Sequence, residues 1–187
     1  MYNKKETEYQ YHPVISKIIE DVQGGATLAK ADFPAGVEEA APGMQVGFDT
    51  NGLARVIKTA KATEVAGATA TTYKLSNNPF KVNDFITKDG LAGAAVKVTA
   101  VNGDSITVSA TMTAAAVGDV FIQAKAEADA GSAALAYTPI GVSMSKVDLT
   151  VDNQPTGILV RGSVNKAQMP MPLSASIAAK LPLILFN

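Results

Sequence analysis

Between Val96 and Met112 apolar residues return at every second position. Val96, Val98 and Ala100 alternate with Lys97 and Thr99, and Ile106, Val108, Ala110 and Met112 alternate with Ser105, Thr107, Ser109 and Thr111. A period of two belongs to a strand with one buried face. Asn102-Gly103 between the two runs supplies residues that tolerate the positive φ of a type I′ turn, so the segment predicts an antiparallel hairpin. A second hairpin is predicted where Gln45 to Asp49 and Leu53 to Lys58 flank Thr50-Asn51-Gly52. Two turn-then-strand units resemble each other: Lys81-Val82-Asn83-Asp84-Phe85-Ile86 and Ala116-Val117-Gly118-Asp119-Val120-Phe121-Ile122. Further strands are read at Lys146 to Val151, Ile158 to Val164 and Leu183 to Phe186, with a loop through Asp152 to Pro155.

Elsewhere the pattern is less regular. Val14, Ile15, Ile18, Ile19 and Val22 recur at helical spacing, yet β-branched residues dominate, so helix and strand compete there. Gly24 and Gly25 end that element in either case, and Ala31 to Pro42 reads as a loop. Ser174 can N-cap a short helix that stops near Lys180, before Pro182. Lys61 to Thr72 reads as a connection and Glu127 to Ala136 as a linker or turn. The expected fold is mainly β: a β-sandwich or barrel-like domain from residues 14–72 and 127–187, carrying an inserted small β-barrel lobe at 73–126. One or two short helices complete it, and residues 1–13 form an extended N-terminal arm.

Composition narrows the function more than it narrows the fold. The chain has 187 residues, no cysteine and a formal net charge of −1, from 16 lysines and arginines against 17 aspartates and glutamates. No disulfide, thiolate metal site or thiol nucleophile is available, and no basic face points to nucleic acid. The charged, polar start from Met1 to Gln10 does not read as a secretory signal. No apolar run approaches the roughly 20 residues of a spanning helix, so a soluble chain with no membrane partner is expected. Charged residues make up 18% of the chain, below the roughly 25% of ordinary globular proteins. A surface built from Ala, Thr, Ser, Val and Gly tolerates being covered by neighbours, or simply encloses a stable domain.

Candidate chemistry is sparse. His12 is the only histidine, which rules out a multi-histidine metal site and leaves any hydrolytic triad dependent on it. Neither Gly24-Gly25 nor Gly67 belongs to a phosphate-binding fingerprint. Asp148 and Asp152 lack the spaced oxygen ligands of a calcium loop, and no spacing singles out a carboxylate pair. Arg161 stands in an apolar strand and needs a carboxylate, carbonyls or exposure to solvent. No catalytic residue, cofactor or metal is expected, and the chain does not read as an enzyme.

The C-terminal third carries a resemblance. Gly141-Val142, the strand at Lys146 to Val151 and the run Gly157-Ile158-Leu159-Val160-Arg161-Gly162-Ser163-Val164-Asn165 resemble the closing portion of tailed-phage capsid decoration proteins. The continuation Lys166-Ala167-Gln168-Met169-Pro170-Met171-Pro172, with Leu181-Pro182-Leu183-Ile184, is similar to the tails of head-fibre proteins in phages of Bacteroides-type hosts. The resemblance covers about a quarter of the chain, and Gly43 to Lys58 more loosely; the lobe at 73–126 departs from compact decoration proteins. It implies a virion structural protein on the outer face of the major capsid protein, often a homotrimer, made in the host cytoplasm. The alternative class is another phage tail or virion component, or an adhesin-type β module binding glycans, against which the lack of Trp speaks.

On that reading the candidate capsid and subunit contacts are Tyr2, Tyr9, Tyr11, His12, Arg161 and Phe186. The arm either adds a strand to a neighbour's sheet edge, with tyrosines as anchors, or is a disordered tail. Attachment is expected through the arm and the sheet holding Ile158 to Val164, with the lobe pointing outward. The small-residue strings before Tyr73 and after Ala126 are expected to act as hinges, so that joining Ala60 to Tyr137 leaves binding intact.

Overall fold

The computed structural model describes residues 13–187. Its strands are, in chain order, β1 (Ile15–Asp21), β2 (Ala26–Thr27), β3 (Glu39–Ala40), β4 (Gln45–Phe48), β5 (Ala54–Val56), β6 (Thr59–Lys61), β7 (Thr72–Lys74) and β8 (Phe85–Lys88). They continue with β9 (Val96–Asn102), β10 (Ser105–Val108), β11 (Val120–Ala124), β12 (Pro139–Ser143), β13 (Val147–Asp148), β14 (Pro155–Thr156), β15 (Ile158–Val164) and β16 (Ile184–Phe186). One α-helix, α1 (Ala175–Ala178), precedes the last strand. Its Ser174 cap accepts a hydrogen bond from Ile177 N–H, as the sequence predicts.

Two six-stranded sheets dominate. The first orders β1-β15-β12-β4-β5, with β16 parallel to β15; the second orders β6-β11-β8-β9-β10-β7. In the first sheet Ile158 and Leu159 join two different buried clusters, so adjacent residues of β15 face opposite cores and the sheet is covered on both sides. The second sheet curls around its own core of Tyr73, Leu75, Phe80, Ile86, Val98, Ile106 and Phe121. Its strand order is open. Among the described residues a single bridge at Ala62 and Leu75 spans its outer strands, with Thr63 N–H bonding Lys74 O and Ser76 N–H bonding Lys61 O. The expected small barrel is therefore a curled sheet without ladder closure.

The two similar units adopt one structure. Asp84 accepts from Lys81 N–H at 2.8 Å and Asp119 from Ala116 N–H at 2.7 Å. Each aspartate N–H returns to the carbonyl of the same residue, at 3.1 Å in both. The residue before each aspartate, Asn83 or Gly118, has positive φ, which Asn and Gly bear with least strain. The strands that follow, β8 and β11, pair with each other.

Three predictions shift in detail. Asn102 pairs with Ser105, so the tight loop is Gly103-Asp104 rather than Asn102-Gly103. The strand read at Lys146 to Val151 shortens to β13. The segment where helix and strand compete is β1, and bulges explain its misleading period. Ile15 faces Val164 and Ile18 faces Gly162, two residues apart on β15, because Ser16 is extra on β1. A bulge thus puts residues three apart on one face of a strand.

Lys61 to Thr72 and Glu127 to Ala136 are both tied into the sheets, through bridges at Ala66–Ala115, Ala95–Ala128 and Ala124–Leu135. Ile122 of β11 is buried with Ile57, Val142 and Leu159 of the first sheet's core. Excision between Ala60 and Tyr137 therefore removes a core residue of the remaining domain, so blunt substitutions on the lobe surface are the better probe of its role.

Candidate functional site

The charged clusters are closed by their own ion pairs and hydrogen bonds, whereas the amide oxygens of Gln45 and Gln123 are buried without a partner among the described residues. Asp32, buried under the edge of the first sheet, accepts from Arg55 Nε at 3.0 Å, Arg55 Nη2 at 2.5 Å and Val56 N–H at 2.9 Å. The guanidinium also lies 5.1 Å from the Tyr137 ring centroid. That carboxylate, burial notwithstanding, raises the arginine's affinity for its proton further. In the second sheet Lys58 Nζ meets Asp84 Oδ2 at 2.7 Å, and Lys88 Nζ meets Asp119 Oδ2 at 2.6 Å. Among the described residues no three His, Cys, Asp or Glu are grouped to hold a metal ion.

Asp89 ties the two sheets together. Its carboxylate accepts from Ser174 Oγ (2.8 Å), Ser176 Oγ (2.6 Å), Ala175 N–H (2.8 Å) and Ser176 N–H (3.2 Å), at the start of α1. Burial raises this carboxyl's pKa, but the hydroxyl and backbone donors outweigh it and hold the pKa below the ordinary value. A folded pKa below the unfolded one gives stability that is present above about pH 4 and lost as pH falls through the folded value. Asp89→Ala is expected to cost about 2 kcal/mol near neutral pH, from the lost cap and orphaned donors. In urea melts at stepped pH, the gap between wild type and variant should close as pH drops below about 4; a constant gap would contradict this role.

The lobe carries two shallow clefts, of about 510 Å³ and 500 Å³, on either side of Ala94. Alanines and threonines line most of both, and the charged groups of the larger, Lys88 and Asp89, are already engaged. Neither cleft converges polar groups on a ligand.

The rim of the first sheet is different. Among the described residues β1 pairs with β15 alone, leaving its other edge open. Ile18 is 55% exposed and Ile19 54%. Ile18 also borders an apolar cleft of about 190 Å³ with Pro13, Val14, Ile15, Pro42 and Met144. Leu185 of β16, opposite Ser163, is 61% exposed. β16 flanks β15 on the side away from β1, so Leu185 stands apart from the two isoleucines, whose open edge strand suits coverage by another protein surface.

Of the sequence candidates, Arg161 is exposed on β15 and stands opposite Glu20 in the β1 register. Phe186 pairs with Val164 and packs, half-buried, against the core cluster of Ile177, Leu181 and Ile184. Tyr2, Tyr9, Tyr11 and His12 lie outside the described residues. Sequence reasoning missed Lys17, Ile18, Ile19 and Glu20, because the period of that segment did not separate a covered helix from an edge strand. Comparison with known proteins finds no matching family model, no matching curated protein and no matching solved structure.

Proposed function

We propose that this chain is a virion structural protein that binds the outer surface of a major capsid shell and decorates or stabilises it, acting by binding rather than by catalysis. One observation carries the reading. Three of the segments that resemble capsid decoration proteins are neighbours in one sheet: β12 with Gly141-Val142 pairs with β15, and β15 pairs with β16, while the strand read at Lys146 to Val151 is β13, paired with β3. They form one paired region of the fold rather than scattered matches, and its exposed groups are Arg161 and Leu185. The low charge content and the exposed isoleucines of the adjacent β1 also favour a face that is covered in use. The partner is the major capsid protein, with three copies of this chain per attachment site. The virion exterior is its location.

The arm and this sheet make the attachment, and the second sheet points away from the shell. Co-sedimentation with undecorated capsids tests the assignment. Removing Met1 to Tyr11 is expected to weaken binding by about tenfold or more, since tyrosine anchors are lost. Acidic substitutions at Val65 and Val117 on the second sheet should leave it unchanged. Unchanged binding by the arm deletion with loss in the lobe variants would reverse the orientation. Strong hits on a glycan array, with no capsid binding, would favour an adhesin instead.

A further inference from the structure

We infer that β1 is a self-complementary edge, through which two copies of this chain pair antiparallel about a two-fold axis centred on Ile18 and Ile19. Ile19 is a bulge residue of β1. Lys17 faces Ser163 and Glu20 faces Arg161, and the register slips between Ile18 and Glu20. Ser163 and Arg161 are two apart on β15 and so share a face. Lys17 and Glu20 therefore also share a face, although three residues separate them in sequence.

A two-fold axis through the centre of this segment sets Lys17 of each copy opposite Glu20 of the other. Ile18 and Ile19 of both copies then meet at the axis. Across the joint runs a row of Arg161, Glu20, the second copy's Lys17 and the second copy's Ser163, and the same row runs in reverse. Each Glu20 sits between two cations, and among the described residues neither Lys17 nor Glu20 has an ion-pair partner within its own copy. Opposite charges directly across antiparallel strands are favourable and like charges are not.

Charges and bulges on an edge strand ordinarily keep it from pairing. Here the bulge brings opposite charges onto one face, so a strand in another register meets mismatched charge while the two-fold mate meets complement. The exposed isoleucines supply the apolar centre that such a joint requires. The contact closes after two copies, so it is separate from any threefold assembly. On a shell it would link neighbouring units.

The test uses the full chain in solution without capsids, so its failure leaves the capsid reading standing. In sedimentation velocity the wild type should double the mass of its basic unit as concentration rises. Lys17→Glu and Glu20→Lys should each weaken this association by about tenfold or more, because each homotypic pairing now sets like charges opposite. An equimolar mixture of the two variants should recover it, since positions 17 and 20 are then acidic on one edge and basic on the other. Misfolded variants could not rescue each other in this way. Ile18→Cys, in a chain with no other cysteine, should give disulfide-linked pairs on mild oxidation. Three results would overturn the inference: no doubling together with no cross-link, single variants that associate as the wild type does, or a mixture that recovers nothing. Variants that lose capsid binding with unchanged self-association would assign the edge to the capsid protein and equally overturn it.

Discussion

Asp84→Ala should lower the unfolding free energy by about 3–4 kcal/mol, read as a fall in the urea midpoint with unchanged slope. The Lys58 side chain is only 3% exposed, and Asp84 Oδ2 at 2.7 Å is its ion-pair partner. Removing the carboxylate strands a buried ammonium, which costs far more than the net strength of the pair. It also deprives Lys81 N–H of its acceptor at 2.8 Å and undoes the turn that launches β8. Lys58→Met should be milder, because Asp84 is partly exposed and keeps water and the Lys81 N–H. If the two variants lost equal stability, the pair would be acting as a surface contact.

Gly162→Ala is the second large effect, about 3 kcal/mol, from overpacking where three strands meet. Gly162 stands between Ile18 of β1 and Ile184 of β16. A Cβ there would lie 2.2 Å from the Lys17 carbonyl oxygen and 3.0 Å from Leu159 Cδ1. Backbone must move, and the strand that moves is β1, which carries the exposed rim. Stability and self-association should therefore fall together. Gly67→Ala is the control: nothing lies within 4 Å of its Cβ position, and its effect should stay within about 0.5 kcal/mol. Thermal melts that rank the two variants alike would contradict the packing at β15.

Gly162 also shows what a sequence can and cannot disclose. The run around it reads as a strand, and Ile158–Val164 is a strand with those bounds. The hairpin of β4 and β5 and the Ser174 cap were equally legible, because each rests on local chemistry: alternation, a turn glycine, a hydroxyl acceptor. The turn pair before β8 and β11 was visible as likeness between two stretches, though its cause, an aspartate closing on the residue three before it, needed coordinates. What stayed hidden was non-local. Asp89 holds a helix whose N-cap lies 85 residues later, and no period in the chain announces it. Bulges disguised β1, since two extra residues convert an alternating strand into helical spacing. Arg161 stood out in the sequence as a charge in an apolar run, but its neighbour Glu20 is fixed by sheet register alone.

Attachment to a capsid exterior is open to cryo-electron microscopy of the parent particle. Density for this chain is expected on the outer surface of the shell, with the sheet of β12, β15 and β16 toward the capsid and the curled second sheet outward. Density for the chain in a tail structure, or none on the particle at all, would contradict it.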